Sequence, residues 1–179
     1  CLAMTGDSTL TCHTTWGPIR TVLREGHVVS CVLPAVDDRD GVPEWQGVSV
    51  DQAEDANRSG MDAAEQCIRG WFDRRLRPTP PLRLPDASPF TLRVWDALRK
   101  VPWGQYVTYG ELASLAGSPR ACRAAGQACG ANHIPLFLPC HRVLAAQGRA
   151  GGFGSGLPWK RFLLAAEGLD ADAITGWRS

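Results

Sequence analysis

The residues best suited to chemistry are a thiol and an imidazole, side by side in the run Pro139-Cys140-His141-Arg142-Val143. A cysteine attacks electrophiles as the thiolate, and a neighbouring base or cation supplies that form near neutral pH. Pro139 fixes one backbone dihedral, so the chain before Cys140 is predicted to be stiff and extended. A soft nucleophile held in this way suits one displacement at carbon or sulfur. The Cys-His pair alone is a weak signal, because adjacent side chains usually point apart.

The scatter of the seven cysteines predicts reduced thiols in a cytosolic compartment. No pair has C-x-x-C spacing, and the total of seven is odd, which argues against both a zinc ribbon and a disulfide scaffold. Cys67, Cys122 and Cys129 stand among alanines in helix-like stretches, which favours small buried side chains. We therefore expect an intracellular protein of the cytoplasm, nucleoid or nucleus.

Length and composition favour one or two small globular domains. The 179 residues are 44% hydrophobic and 21% charged. No apolar run approaches the ~20 residues that span a bilayer, and no basic-then-apolar leader is visible, so we expect no membrane partner. Residues 1–85 hold nine basic and twelve acidic side chains, and residues 86–179 hold ten and six. Residues 112–166 hold six basic side chains and no acid, which suits a polyanion partner or an ordinary surface equally well.

The elements that position the cysteine fall in the second of two predicted domains. Four prolines between residues 76 and 85 predict a semi-rigid linker, so we expect an N-terminal α/β domain over 1–85 and a C-terminal domain over 86–179. Before the linker, residues 17–23 and 27–33 predict a hairpin, residues 37–55 a loop with at most one short strand, and residues 61–76 a helix.

After the linker the pattern predicts a helix-turn-helix. Ser88 and Pro89 begin a helix, and residues 109–115 form a second, short one. Gly117, Ser118 and Pro119 predict a turn with Ser118 as the cap of an alanine-rich helix over 120–129. Small side chains would let this helix approach another surface closely, although alanine is also simply the best helix former. By itself the pattern is a moderate signal for DNA binding.

Many separate motifs of residues 88–168 agree in order and spacing with one family. They are Phe90-x3-Val94-Trp95-x2-Leu98, Val101-Pro102-x-Gly104, Tyr109-Gly110-x-Leu112-Ala113, Arg123-Ala124-x-Gly126, Asn132, Pro139-Cys140-His141-Arg142-Val143, Gly156-Leu157-x2-Lys160 and Leu163-Leu164-x2-Glu167-Gly168. This part of the chain resembles the O6-alkylguanine-DNA alkyltransferases, the methylated-DNA–protein-cysteine methyltransferases. The resemblance implies an α+β protein with a small ribonuclease H-like N-terminal domain. It implies a mainly helical, winged-helix-like C-terminal domain that contains the helix-turn-helix.

The resemblance also implies a repair reaction that happens once per protein molecule. The partner would be double-stranded DNA with an O6-alkylguanine, which is flipped out of the duplex. Cys140 would take the alkyl group permanently, without a cofactor and in a monomer. His141 would deprotonate Cys140 through a water, and Glu167 would hold the imidazole. Asn132 would brace the site, and Tyr109 would donate a proton to the leaving guanine.

The implied DNA contacts and base pocket complete the set of candidate residues. Arg123 would fill the gap left by the flipped base, on a helix set in the minor groove. The expected DNA-binding residues are Arg123, Ala124, Tyr109, Ser118, Arg120 and Gly126. The expected pocket residues are Val143, Phe153, Ser155, Gly156 and Lys160.

Simpler structural roles stand beside some of these functional ones. Tyr109 would then fill a core, Arg123 would pair with Glu111, Glu167 would be a solvated acid at a helix end, and Asn132 would turn the chain.

Two positions depart from the family pattern. His133 stands where the family usually has proline, and it adds an imidazole without an assigned role. Ser155 replaces the first glycine of the usual Gly-Gly-Leu. Our hypothesis is that its hydroxymethyl group narrows the pocket and disfavours bulky O6 substituents. Equal competition between methyl and benzyl adducts in wild type and Ser155→Gly would contradict it.

Metal binding and other functions remain as alternatives. Cys12, His13, His27 and Cys31 would supply four zinc ligands if the hairpin brought its ends together, but their spacing differs from the family's, and we expect no metal. A lesion-binding relative without transfer would lack Cys140. A Cys-His hydrolase would need an oxyanion hole that no motif nominates. A transcription factor would leave the other motifs unexplained.

Overall fold

The computed structural model describes residues 6–36 and 41–177, which form two compact units. The main division falls between Pro85 and Asp86. Two short segments belong to the opposite unit in space: Ala35 and Val36 lie with the C-terminal unit, and His133–Phe137 lies with the N-terminal unit.

The N-terminal unit is built on a four-stranded antiparallel sheet with the order β3-β2-β1-β4. Its strands are β1 (Asp7–Thr14), β2 (Ile19–Arg24), β3 (His27–Val32) and β4 (Trp45–Asp51). The predicted hairpin is confirmed, because Arg24 pairs with His27 across a two-residue turn. The apolar pattern missed β1, half of which is serine or threonine. Threonine is β-branched and favours strands, and β1 lies between two partners.

The helix of this unit, α1 (Arg58–Phe72), ends four residues before the predicted Leu76. Arg74 has a φ of 54°, and the Arg75 N–H donates to the Gly70 carbonyl at 2.8 Å, which closes the helix in a Schellman motif. The proline-rich stretch that follows is attached to the sheet. Val28 donates to the Pro81 carbonyl (2.8 Å) and accepts from the Arg83 N–H (2.9 Å), so the stretch runs along the edge strand β3.

The C-terminal unit is mainly helical. It contains α2 (Pro89–Arg99), α3 (Tyr109–Leu115), α4 (Cys122–Gly130), α5 (Leu157–Ala166) and a parallel pair of two-residue strands, β5 (Val107–Thr108) and β6 (Val143–Leu144). Ser88 caps α2 as predicted, since its Oγ accepts from the Thr91 N–H at 3.1 Å. Helices α2, α3 and α4 pack together, and the buried indole of Trp95 donates to the Ala128 carbonyl at 2.9 Å. The mixed architecture agrees with the predicted α+β class.

The turn between α3 and α4 differs from the prediction in one respect. Ser118 belongs to the motif that closes the C-terminus of α3, and it does not cap α4. Its N–H donates to the Ala113 carbonyl (2.9 Å), Gly117 donates to Ser114 (2.9 Å), and Gly117 has a φ of 77°, which together form a Schellman motif. A further turn through Ala121 delays the start of α4, which has no side-chain cap.

No helix within residues 6–36 and 41–177 has the length and apolar character needed to cross a membrane.

Candidate active site

Cys140 begins a 3₁₀ turn directly after a sharp bend in the backbone. Pro139 has φ −78° and ψ 62°, and the Cys140 N–H donates to the Leu138 carbonyl at 2.8 Å. These values define an inverse γ-turn, for which the proline ring already holds φ. The chain is therefore stiff, as predicted, but it is bent where we expected it to be extended. The Cys140 residue remains partly exposed to solvent.

Asn132 ties the cysteine to the end of α4. The residue follows α4 directly, and its N–H donates to the Cys129 carbonyl at 3.2 Å. Its side-chain amide donates to the Leu138 carbonyl at 2.9 Å and to the Cys140 Sγ at 3.1 Å. An amide donor on sulfur favours the thiolate over the thiol. The structure thus brings Asn132 to Cys140, where the resemblance implies it.

His141 and Glu167 form a buried pair. The His141 Nε2 lies 2.7 Å from the Glu167 Oε1, and neither side chain has any exposed surface. An ionised carboxylate only accepts, so Nε2 carries the hydrogen and Nδ1 of the neutral ring holds a lone pair. Burial lowers the pKa of His141, and the charges of Arg142 and Lys160 add to this, so the raising effect of Glu167 is outweighed. The imidazole is therefore in its basic, neutral form at pH 7.

Arg142 is a site residue to which the sequence analysis gave no role. Its Nε donates to both oxygens of Glu167, at 2.9 and 3.0 Å, and its Nη1 donates to the Val101 carbonyl at 2.6 Å. The guanidinium lies 5.9 Å from the ring centre of Trp103. A signal was available, because Glu167 is the first acid after a long acid-free stretch, and a buried acid needs a cationic partner.

Glu167 stays ionised because its partners outweigh its burial. Burial by itself raises the pKa of this carboxyl, but the hydrogen bond from His141 and the charge of Arg142 leave it lowered. The Gly104 N–H donates to Oε2 at 2.8 Å and acts in the same direction. Both oxygens are thus occupied by donors, and the simpler reading as a solvated helix-end acid does not fit a side chain without exposed surface.

Lys160 is a fully buried lysine on α5. Its Nζ donates to the Val143 carbonyl at 2.6 Å and to the Gly152 carbonyl at 3.3 Å. Burial lowers its pKa to about 8, so it is mainly charged at neutral pH. Burial raises the pKa of Cys140, while the Asn132 amide and the Lys160 charge lower it without cancelling the rise. The resting thiol is therefore protonated and needs a base to react.

The Tyr109 ring lies between Gly126 of α4 and Gly151 of the loop before α5. It is the first residue of α3, and a Cβ added to Gly126 of α4 would lie 3.8 Å from the ring. A Cβ added to Gly151, which has a φ of 67°, would lie 3.2 Å from the ring on the other side. Burial raises the pKa of Tyr109 to about 12, helped by the charges of Cys129 and Cys140 and opposed by a hydrogen bond with the Gly152 backbone. The phenol therefore keeps its proton.

The remaining predicted pocket residues belong to a tightly fixed loop before α5. Gly156 has a φ of 102°, and a Cβ there would lie 1.8 Å from the Val36 carbonyl oxygen, so only glycine fits. Its N–H donates to the Phe153 carbonyl at 3.0 Å, and the Ser155 carbonyl accepts from the Val36 N–H at 3.1 Å. The backbone of Ser155 is thus fixed by its hydrogen bond with Val36.

The outer surface of α4 presents the predicted DNA-binding residues. Arg123 is exposed, while Ala124 and Gly126 are partly exposed. Arg120 and Ser118, with Pro119 and Ala121, line a shallow depression at the turn. Glu111 accepts from the Thr108 N–H and hydroxyl, at 2.7 and 2.8 Å, in a capping box. Among the residues that the structure describes, Arg123 makes no ion pair with it.

The four candidate zinc ligands do not converge. Cys12 is buried, whereas the next residue on β1, His13, is exposed and hydrogen bonds to the Ser49 hydroxyl. His27 donates to the Glu25 carbonyl at 2.8 Å. Over residues 6–36 and 41–177, no group of three or more His, Cys, Asp or Glu is arranged to hold a metal ion.

The side chain of His133 is exposed, and its carbonyl accepts from the Cys31 N–H at 2.8 Å.

Comparison with known proteins points in one direction. Residues 89–169 match the family model of the 6-O-methylguanine DNA methyltransferase DNA binding domain. The chain is 40% identical over 112 residues to a methylated-DNA–protein-cysteine methyltransferase of Methanosarcina acetivorans, across 63% of this chain and 72% of that one. A relative of the same name from Homo sapiens is 43% identical over 94 residues, 51% of this chain and 45% of the relative.

Solved structures agree over a longer stretch. The crystal structure of Mycobacterium tuberculosis OGT in complex with DNA is 29% identical and superposes with a TM-score of 0.71. That match covers 93% of this chain and 94% of the other.

Proposed function

The chain belongs to the methylated-DNA–protein-cysteine methyltransferase family, and we propose that Cys140 is the cysteine onto which it takes the O6-alkyl group of guanine in DNA. The observation that supports this most is the set of donors and acceptors around one partly exposed thiol. The Asn132 amide lies 3.1 Å from its sulfur, and the adjacent His141 is held by Glu167 at 2.7 Å.

The proposed step is a single displacement. The thiol gives its proton through a water to Nδ1 of His141, and Glu167 stabilises the imidazolium that forms. The sulfur attacks the alkyl carbon, so that a C–S bond forms as the C–O6 bond breaks. Guanine leaves with the electron pair, and the Tyr109 hydroxyl donates a proton to its ring nitrogen. The product is a thioether, which is a poor leaving group, so each molecule reacts once and needs no cofactor.

The protonation states suit these roles. The raised pKa of Cys140 keeps the thiol inactive at rest, and the lowered pKa of His141 keeps the imidazole ready to accept a proton. A pKa of about 12 keeps Tyr109 protonated as a donor. Charge on Lys160 favours the thiolate once it forms.

We assign DNA contact to the outer face of α4 and the turn before it. The partner is double-stranded DNA, and the alkylated guanine must leave the stack to reach a pocket. The small residues Ala124 and Gly126 permit close approach to the minor groove, and the exposed Arg123 would occupy the space left by the base. Arg120 and Ser118 would contact phosphates at the depression.

The flipped base would lie against the backbone of Val143 and the loop that precedes α5. Tyr109 borders this space through its contacts with Gly151 and Gly152. Phe153, Ser155 and Gly156 form the rest of the loop, and the buried Lys160 holds it through the Gly152 carbonyl. We further propose a ribonuclease H-like N-terminal domain, a winged-helix-like C-terminal domain and a monomeric protein.

Intact-protein mass after incubation with an O6-methylguanine duplex tests the function. We expect a gain of about 14 daltons that stops at one equivalent, and no gain with Cys140→Ala, which should still bind the duplex. Binding of the wild type without a mass gain would instead indicate a lesion-binding protein.

A further inference from the structure

We propose that the segment 170–177, which follows the residues matched by the family model, sets the width of the base pocket by supporting the pocket loop, residues 148–156. The inference rests on the proposed function, because it concerns which O6 substituents the site accepts. The positioning residues are Ile174 and Thr175, and neither touches the reacting atoms.

Backbone hydrogen bonds join the segment to the residues that begin the pocket loop. The Ala150 N–H donates to the Thr175 carbonyl at 2.7 Å, and the Thr175 N–H donates to the Gly148 carbonyl at 3.3 Å. Arg149 and Thr175 thus form a parallel bridge, while Ala145 and Arg149 form an antiparallel one. The stretch 145–150 therefore closes on itself and is bonded to the segment through Thr175.

Side-chain packing adds to this attachment. Ile174 is 7% exposed and lies in one apolar cluster with Leu144, Ala150 and Leu164. Trp177, also in the segment, packs against the same cluster. The cluster thus joins Ile174 to Leu144 of β6, which follows the Cys140 turn, and to Ala150, which directly precedes Gly151.

The segment has its own internal order. The Asp170 carboxylate accepts from the N–H groups of Asp172 and Ala173, at 3.0 and 3.3 Å. Arg161 of α5 pairs with Asp172 and lies 5.7 Å from the ring centre of Trp177. The segment is thus fixed to α5 as well as to the loop.

The position of Ala150 determines where the next residues of the pocket loop lie. The next two residues, Gly151 and Gly152, contact Tyr109 and Lys160. The fit at Gly151 is close, since even a methyl group there would approach the Tyr109 ring to 3.2 Å. If Ala150 loses its support, the wall moves away from Tyr109, and a larger O6 substituent is admitted while a small one is held less firmly.

Competition between two substrates tests this. The free bases O6-methylguanine and O6-benzylguanine are offered together to wild type, Ile174→Ala and the matched control Ile174→Val, and the two adduct masses are counted. We expect the benzyl-to-methyl ratio to rise roughly tenfold in Ile174→Ala, the scale on which pocket size discriminates, and to stay within about twofold in Ile174→Val.

A lower melting temperature of Ile174→Ala with an unchanged ratio would overturn the inference and leave the segment a stabilising role only. If that variant does not fold, the same ratio is measured in Thr175→Pro, which lacks the N–H that reaches Gly148, and in Thr175→Ala, which keeps it. An equal ratio in these two variants would then overturn the inference. Failure of the proposed function would look different, because wild type would then gain neither adduct.

Discussion

The two units of this protein place cysteine side chains in different environments. Cys12, Cys31 and Cys67 of the N-terminal unit are buried, and burial raises the pKa of each to about 12. Cys12 and Cys31 have other cysteines as electrostatic neighbours, which raise the pKa further. Cys140 of the C-terminal unit also has a raised pKa, but it is partly exposed and is approached by the Asn132 amide and the charge of Lys160.

A low resting pKa is therefore not what separates Cys140 from the core cysteines. We propose that the difference lies in groups that receive the thiol proton and favour the anion at the moment of reaction. We propose that the neutral, buried imidazole of His141, whose Nε2 is held by the Glu167 carboxylate, is such a group. A core thiol without these neighbours is inert at the same pH.

Removal of the base should have the largest effect on this contrast. We expect His141→Ala to slow methyl transfer from duplex DNA by about 10²–10⁴, the usual contribution of a general base. His133→Ala is the control, because that imidazole is exposed, and it should react within about twofold of wild type. Single-turnover mass spectrometry measures both, and a well-folded His141→Ala that reacts at the wild-type rate would contradict the proposed base.

Loss of the buried cation should have a smaller effect that depends on pH. Because the pKa of Lys160 is about 8, its charge is present at pH 7 and mostly lost at pH 9. We expect Lys160→Met to react roughly tenfold more slowly than wild type at pH 7, equivalent to about one pKa unit on the thiol, and the gap to narrow at pH 9. Lys100→Met, at an exposed surface pair, is the control. A gap of constant size across this range would show that Lys160 acts only by packing.

Arg123 should matter only when a base must be extruded. We expect Arg123→Ala to slow transfer from duplex DNA by about fivefold and to leave the free base O6-methylguanine unaffected, because extrusion costs a few kcal/mol only in the duplex. Gln127→Ala, exposed on the same helix, is the control. Equal slowing on both substrates would remove Arg123 from the extrusion step.

The smallest expected effect comes from a core cysteine. Cys67→Ala should leave transfer unchanged and lower the free energy of unfolding by about 1 kcal/mol, through the loss of one buried heavy atom. Urea unfolding and the methyl-transfer assay measure the two quantities. A clear loss of transfer with unchanged stability would mean that the N-terminal thiols are not inert.

The sequence was most informative where turns and helices are set locally. The hairpin, the bounds of α3 and the cap of α2 all depend on residues close in the chain, and the structure contains them as predicted. The predicted start of α4 was wrong because Ser118 resembles a helix cap in the sequence. Gly117, directly before that serine, instead allows α3 to end in a Schellman motif. Only the geometry distinguishes the two.

Long-range contacts explain what the sequence left undetermined. The role of Arg142 depends on Val101, Trp103 and Glu167, which are 25 or more residues away along the chain. Likewise, no motif marks Ile174 or Thr175, because their partners at residues 144–150 come together with them only in the folded unit. The proposed catalytic residues were nominated by their match to a family pattern, because their spacing alone does not indicate a site.

The most direct test of the account is to map the acquired methyl group among all seven cysteines of wild-type protein after reaction with an O6-methylguanine duplex. Peptide mass spectrometry should place it on Cys140 alone, with Cys12, Cys31 and Cys67 unmodified at full conversion. A methyl group on any other cysteine, or one shared among several at comparable rates, would contradict the claim that the surroundings of one thiol make it the acceptor.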